Sequence, residues 1–428
     1  VWTANRSIRG YLIAGWALNK EYVSMNHGPL KGVRVTEFTS AWAGPYATCL
    51  LGFLGAEVIK VESRRRLDHS RNLSFSTGTR FSGPNESTVF NNLNLNKKSV
   101  TLNLSKPKAI EVAKRLVGLS DVVMENMRPG VIPRLGLGYD VLMDIKPDLI
   151  YISSSSCGQT GPEREYVGYA PTFAALGGFC HITGYEDWPP SNFMGSMDLR
   201  SATTSAFAIL AALIYRHRTG EGQYIDLASQ ETIAVLAGDV LLDYFMNHRV
   251  PGRKGNKDEW MAPHNCYRCQ GNDHWVSIAV ATDQEWQALC RVMGKPELFE
   301  DARFKDFSVR RNNQEELDTI INQWTKDRDY YEVTKKLQEA GVASAPSFSS
   351  EGLFHDPHLR ERGVFSQLDH PVMGKDWVVT PPWQLSETPA RIHRHSPLLG
   401  EHNEEVFGQM LGLSQGEIKE LEKEGVIY

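Results

Sequence analysis

Gly32-Val33-Arg34-Val35-Thr36-Glu37-Phe38-Thr39-Ser40-Ala41-Trp42-Ala43-Gly44-Pro45 alternates like a strand as far as Phe38 and then runs into small residues. Tyr46 to Leu54 reads as an apolar helix stopped by Gly55, and Glu57-Val58-Ile59-Lys60-Val61-Glu62 reads as a second strand. Strand, tight loop, helix, strand is a βαβ unit, the usual start of a doubly wound α/β sheet. The loop lacks G-x-G-x-x-G, so its motif does not indicate a dinucleotide. A helix N-terminus behind such a loop can still receive a phosphate or a carboxylate.

Working outward, residues 63–90 are a long polar loop that starts with Arg64-Arg65-Arg66, either a solvated surface or an anion site. Asn94 to Ser99 leads into a strand over Val100–Leu104. Lys106–Leu119 is an amphipathic helix, and Asp121–Glu125 and Leu149–Ser153 are further strands. Three strand ends run into Gly/Pro/polar loops: Thr39–Pro45, Asn126–Gly130 and Cys157–Pro162. Open α/β sheets bind ligands at that end, so the repetition predicts a crevice there. In residues 186–232, Gly195-Ser196-Met197-Asp198 precedes a small-and-apolar run, Ala202–Tyr215, and a strand-like Tyr224–Leu227. Asp198 therefore reads as a helix N-cap, or as a carboxylate held at a helix start to act as nucleophile or base.

Farther along, Thr232–Asn247 looks helical and Arg249–Pro263 marks a boundary. A hairpin over 267–280 and helices over 283–293, 313–327 and 331–340 suggest a smaller α+β unit. Strand character returns at 364–370 and 377–379, with helices before Leu411 and over Ser414–Glu424. The expected division is 1–27 as an extension or linker, 28–248 as a large Rossmann-like unit, 249–345 as the small α+β unit and 346–428 as a return to the large one.

Composition narrows the class. The 428 residues are 41% hydrophobic and 23% charged with a net charge of -5, so no basic field invites nucleic acid. No apolar run in the sequence reaches the length needed to cross a bilayer. Six cysteines are too few for a disulfide framework, which makes a reducing cytoplasm the expected compartment. Cys266 and Cys269 lack the second pair that zinc would need and read as packing residues, so no metal is expected.

In order and at consistent spacing, Gly28–Val35, Ala43-Gly44-Pro45, Gly55–Glu62, Asn96–Ser99, Glu125-Asn126, Arg134-Leu135-Gly136, Gly158–Pro162, Thr219–Gln223 and Pro397–His402 resemble the class III CoA-transferase family. That family includes formyl-CoA and carnitine CoA-transferases and α-methylacyl-CoA racemases. The resemblance implies a Rossmann-like large domain with an inserted small domain and an interlocked homodimer, or pairing with a homologous domain of the same chain. It places the family's catalytic Asp at Asp198, which would attack an acyl-CoA thioester, form a mixed aspartyl anhydride and pass CoA to a small carboxylate. It maps coenzyme A contacts onto Ser40, Ala41, Trp42, Ala43, Leu102, Asn126, Met127 and Arg134, with Arg64 one residue from a family Arg position. Lys97, Lys98 and Arg128 are further candidates for its phosphates, and Tyr169 resembles a Tyr near the formyl-CoA transferase active site. That enzyme's following Glu is Ala170 here, and its glycine flap is matched only by Gly252–Asn256.

Two rivals follow from the same resemblance. A racemase would pair Asp198 with a His, but the matching position is Tyr169, leaving His181 as an alternative base. A CoA-binding half of a tandem protein, such as the enzyme that adds CoA to dimethylsulfoniopropionate and releases dimethyl sulfide, would fit the non-Met start. Asp243-Tyr244-Phe245 resembles a carnitine CoA-transferase segment, so an onium-bearing acid held by aromatic faces, dimethylsulfoniopropionate or a betaine, is an expected acceptor.

Overall fold

The computed structural model describes residues 28–72, 83–191 and 196–428. The expected extension, 1–27, and Gly195 lie outside them. Six parallel strands form the main sheet in the order β3-β2-β1-β4-β5-β6: β1 (Arg34–Phe38), β2 (Glu57–Glu62), β3 (Lys97–Thr101), β4 (Val122–Glu125), β5 (Ile150–Ser155) and β6 (Gln223–Ala228). Strand order reverses between β1 and β4, so the loops after these two strands face each other across the switch point, where such sheets bind ligands.

The helices around this sheet are α1 (Ala43–Phe53), α2 (Thr88–Leu93), α3 (Pro107–Gly118), α4 (Val131–Arg134), α5 (Tyr139–Ile145), α6 (Ala170–Leu176), α7 (Phe179–Ile182), α8 (Ser196–Thr219), α9 (Ser229–Ala234) and α10 (Gly238–Asn247). On one face α1 and α8 pack on Val35, Val58, Val122, Ile150 and Ile152. α1 is sandwiched between sheet and helix, which is why it is apolar nearly all round. On the other face α3 starts with Pro107 at its first turn and buries Ala109, Val112, Ala113, Leu116 and Val117 against Ile59, Val100, Val123 and Tyr151. Each such side chain contributes roughly 1.5–3 kcal/mol when fully buried.

A second, antiparallel sheet of β7 (His264–Arg268), β8 (Trp275–Ala279) and β9 (Ala343–Pro346) has its own core with α11 (Asp283–Val292), α13 (Gln314–Thr325) and α14 (Tyr330–Glu339), next to the short α12 (Phe307–Asn312). After α15 (Ser350–His355), α16 (Pro357–Glu361) and the hairpin β10 (Phe365–His370)–β11 (Gly374–Val379), the chain returns to the main sheet. There the Asn96 amide bonds the carbonyl of Arg391, and Asn403 and Tyr428 bond Thr101. The last helix, α17 (Gln415–Lys423), joins the α3 face.

Several expectations need correction. β3 starts at Lys97, three residues before the expected strand, so the two lysines lie within the strand. The expected helix over 232–247 breaks into α9 and α10 at a tight turn, Val235–Ala237. The polar loop contains α2, capped by Ser87. α8 is apolar and long enough to cross a membrane by composition alone; its small residues Ser201, Ala202, Ser205, Ala206 and Ala212 are buried instead against protein.

Candidate active site

The first wall of the crevice is the loop after β1. Ala41 takes a left-handed φ of 70°, and Gly44 comes so close to Thr39 that a Cβ there would sit 2.7 Å from the Thr39 side chain. Asn126, in the loop across the switch point, accepts from the Ser40 N–H at 2.8 Å and donates to its carbonyl at 2.8 Å. Asp68 accepts from the Ala41 N–H at 3.0 Å.

Beneath this loop lies a dry ionic cluster. Glu37 accepts from Lys97 at 2.9 Å and from Thr39 and Thr48, and Lys60 bridges Asp68 at 2.8 Å and donates to the Thr39 carbonyl. Burial opposes the Glu37 charge, but Lys60 and Lys97 outweigh it and hold the carboxyl below its usual range. Burial opposes the Asp68 charge as well, and Lys60 with Ser70 holds that carboxyl at about 2. Lys60 stays charged because Asp68 and Glu37 overcome its burial, whereas burial and Lys60 together push Lys97 down.

The second wall is the turn after β4. The Arg134 side chain rises beside Gly130. Arg134 also borders a groove of about 360 Å³ lined by Leu104, Ser105, Lys106, Ile110 and Leu135 at the start of α3. A helix N-terminus beside an Arg and a Lys is suited to a phosphorylated ligand.

Asp198 lies near the carboxyl end of β6, at the start of α8. It occupies the first turn of α8 rather than the N-cap, because the helix begins at Ser196. One turn on, Ser201 donates to the Met197 carbonyl at 3.2 Å and to Ser229 at 3.0 Å, pinning this turn to the start of α9 at the carboxyl end of β6. Burial alone pushes the Asp198 carboxyl up to about 6. An anion there is favoured by the helix dipole and is still ionised at neutral pH. Residues 181–188 are tied to the 253–255 loop: Arg253 donates to the carbonyls of His181, Tyr185 and Trp188, and the Gly255 N–H to that of Gly184.

Ser40, Ala41, Trp42 and Ala43 are thus brought together with Asn126 and Met127, and Arg134 is exposed beside them. Lys97 is not available to a phosphate: it is fully buried and bonded to Glu37, Asn94 and the Pro45 carbonyl, because its strand position points it beneath α1. Lys98 pairs with Glu57 and Glu405. The Leu102 side chain is buried in the core. Arg64 is exposed in a tight turn beyond β2, Arg128 reaches the Glu165 carbonyl, and Tyr169 is 68% exposed at the start of α6. Sequence reasoning missed Asp68, which holds the first loop; nothing in its polar stretch singles it out.

A sequence model described as "CoA-transferase family III" matches residues 30–403. The chain is 33% identical to succinyl-CoA:glutarate CoA-transferase of Mus musculus over 93% of its length and 90% of that protein. It is 34% identical to succinyl-CoA--D-citramalate CoA-transferase of Chloroflexus aurantiacus, over 93% and 98%. Its fold matches the crystal structure of a CAIB/BAIF family protein from Brucella suis with a TM-score of 0.80 at 30% identity, covering 90% of this chain and 99% of that one.

Proposed function

The chain belongs to CoA-transferase family III and is an enzyme that transfers coenzyme A, and on that premise we propose that it does so through a covalent anhydride on Asp198. The observation that carries this is the Asp198 carboxyl itself. It is held at a helix start on the ligand end of the sheet, partly desolvated, with no cation paired to it among the described residues. Attack on the acyl-CoA carbonyl breaks the C–S bond, releases CoA thiolate and leaves an acyl–aspartyl anhydride. The thiolate attacks the aspartyl carbonyl, releasing the donor acid. The acceptor carboxylate then displaces the thiolate from the aspartyl thioester and forms a second anhydride, and the thiolate takes the acceptor acyl group, regenerating Asp198. Each step exchanges one activated acyl bond for another, so a weak nucleophile suffices. Main-chain N–H groups of the first turn of α1 are suited to stabilise the oxyanions, and the groove beside Arg134 to hold the nucleotide of CoA.

The acceptor we infer is a small dicarboxylate, the class handled by both transferases named above. The onium reading has less support: Asp243 is held by Arg249 and Asn247, and Tyr244 and Phe245 are exposed on α10. α10 buries none of its residues although Leu241, Leu242, Tyr244, Phe245 and Met246 are apolar, and we propose that a second copy covers it, as in an interlocked dimer.

Hydroxylamine trapping during turnover, read by mass spectrometry, is expected to modify Asp198. An unmodified Asp198, with Asp198→Ala still active, would end the anhydride reading. A panel of acceptors is expected to favour dicarboxylates over betaines and dimethylsulfoniopropionate. Solvent deuterium incorporated at the α-carbon of a branched acyl-CoA would point to a racemase instead. Sedimentation at micromolar concentration is expected to give a dimer.

A further inference from the structure

Glu125, Ser153 and Asp226 are register partners on the adjacent strands β4, β5 and β6, at their carboxyl ends and on the face that carries Val123 and Tyr151. The two acids hold two different loops. Glu125 Oε2 accepts the Met127 N–H at 2.7 Å, inside the turn that also contributes Asn126 to the Ser40 clamp. Both Asp226 oxygens accept the Gln159 N–H at 3.0 Å, and Gly158, at a left-handed φ of 84° that favours glycine, lies in contact with them. The loop held in this way carries Gln159 Nε2, which is buried and makes no hydrogen bond among the described residues.

We propose that Glu125 is a positioning residue for acyl-CoA, acting with Asp226 across Ser153 to keep the loops 126–130 and 157–161 in one arrangement at the mouth of the site. This rests on the reading of Asn126 and Met127 as coenzyme A contacts. Burial pushes the Glu125 carboxyl up to about 7; bonds from Ser153 and Met127 pull the other way, and the Asp226 charge adds to the rise. The titratable groups facing it are the exposed Asp226 and Tyr224 on β6 and Tyr151 on β5, with Tyr139 of α5 packed at a tilt against both tyrosines. The nearest cation on its own loop, Arg128, is turned to the Glu165 carbonyl. Ionisation of Glu125 therefore places two carboxylates on one face of the sheet with no cation among the described residues to separate them, and it works against the two loops closing on a ligand.

The test is calorimetric binding of a non-reactive thioether analogue of succinyl-CoA between pH 6 and 8.5, which needs no turnover. Wild-type affinity is expected to fall on the order of five-fold as pH rises through 7. Glu125→Gln, which mimics the neutral acid, is expected to lose that dependence and stay near the low-pH value, whereas Glu125→Ala binds weakly throughout. An E125Q profile that tracks the wild type overturns the proposal while leaving the CoA reading intact. Absence of binding by both proteins at every pH overturns that reading and this one with it. A circular-dichroism melt of each variant separates lost binding from lost folding.

Discussion

The two halves of the main sheet bury acids in opposite ways. Under β1, β2 and β3, each acid has a cation: Glu37 has Lys60 and Lys97, Asp68 has Lys60, and Glu62 has Arg71 in a two-pronged bond at 2.7 and 2.8 Å. Around β4, β5, β6 and the start of α8, the buried Glu125, the partly buried Asp198 and the exposed Asp226 have hydrogen-bond donors or burial but no ion pair among the described residues. A neutralised cluster holds a loop rigid and has little left to offer a ligand. Desolvated acids without counterions, Glu125 and Asp198, are destabilising where they stand, and such groups are retained where a reaction or a ligand uses them. On the proposed function, the acids of the first half serve as scaffolding and those of the second serve the chemistry.

The assignment breaks most visibly at Asp198. Asp198→Ala is expected to lower kcat by at least about 10³-fold, since the proposed nucleophile is gone, while the melting temperature does not fall; steady-state transfer of CoA between succinyl-CoA and a dicarboxylate measures the first. Glu37→Gln is expected to show the reverse priority. It leaves Lys60 and Lys97 in a dry interior with one fewer counter-charge, and the loss should be about 3–5 kcal/mol by urea unfolding. Activity would then fall only as the folded fraction does. A Glu37→Gln enzyme of undiminished stability would show that the cluster is not what holds the 39–45 loop.

The same kind of substitution should change sign in the other half. The Asp198 carboxyl stands at about 6 in the folded chain, above its ordinary value of 3.8. As pH rises between these values the unfolded chain ionises first, so folding loses stability across that window and the loss is constant above it. Asp198→Asn is therefore expected to stabilise the protein at pH 7 by about 1–2 kcal/mol after solvent screening, and to give no gain near pH 3.5. In the wild type, transfer should decline below about pH 6 as the proposed nucleophile protonates.

How far these halves were legible in the sequence differs for a physical reason. The βαβ unit, the strands at 121–125 and 149–153 and the place of Asp198 before a long helix follow from local periodicity and small-residue loops, and they stand within a few residues of where the structure has them. Lys97 does not follow. A lysine after Asn96 looks like a loop cation, and only the pairing of β2 with β3 shows that Lys97 faces the same side as Lys60 and can meet Glu37, sixty residues earlier in the chain. The same holds for Asp226, whose task depends on a loop that begins at Cys157 and on a strand order no local pattern contains. Glu125 and Asn126 stood out only through a family likeness; their separate tasks, one toward Met127 and one toward Ser40, are geometric facts.

The smallest effect tests whether burial, rather than the mere presence of ion pairs, separates the two halves. Glu57 has the same local pattern as Glu37, one acid between two cations: Arg34 at 2.7 Å and Lys98 at 2.5 Å. Its side chain is 31% exposed, whereas that of Glu37 is fully buried. Water and salt screen the first cluster, and Lys98 keeps a second partner in Glu405 when Glu57 is removed. Glu57→Gln is expected to lower stability by less than about 1 kcal/mol, and by less still in 1 M salt. The Glu37→Gln loss should persist there, because no ions reach a dry interior. If the two substitutions proved equally damaging and equally salt-sensitive, the number of charges would matter and not their burial, and the reason for treating the uncompensated acids of β4, β6 and α8 as functional would be gone.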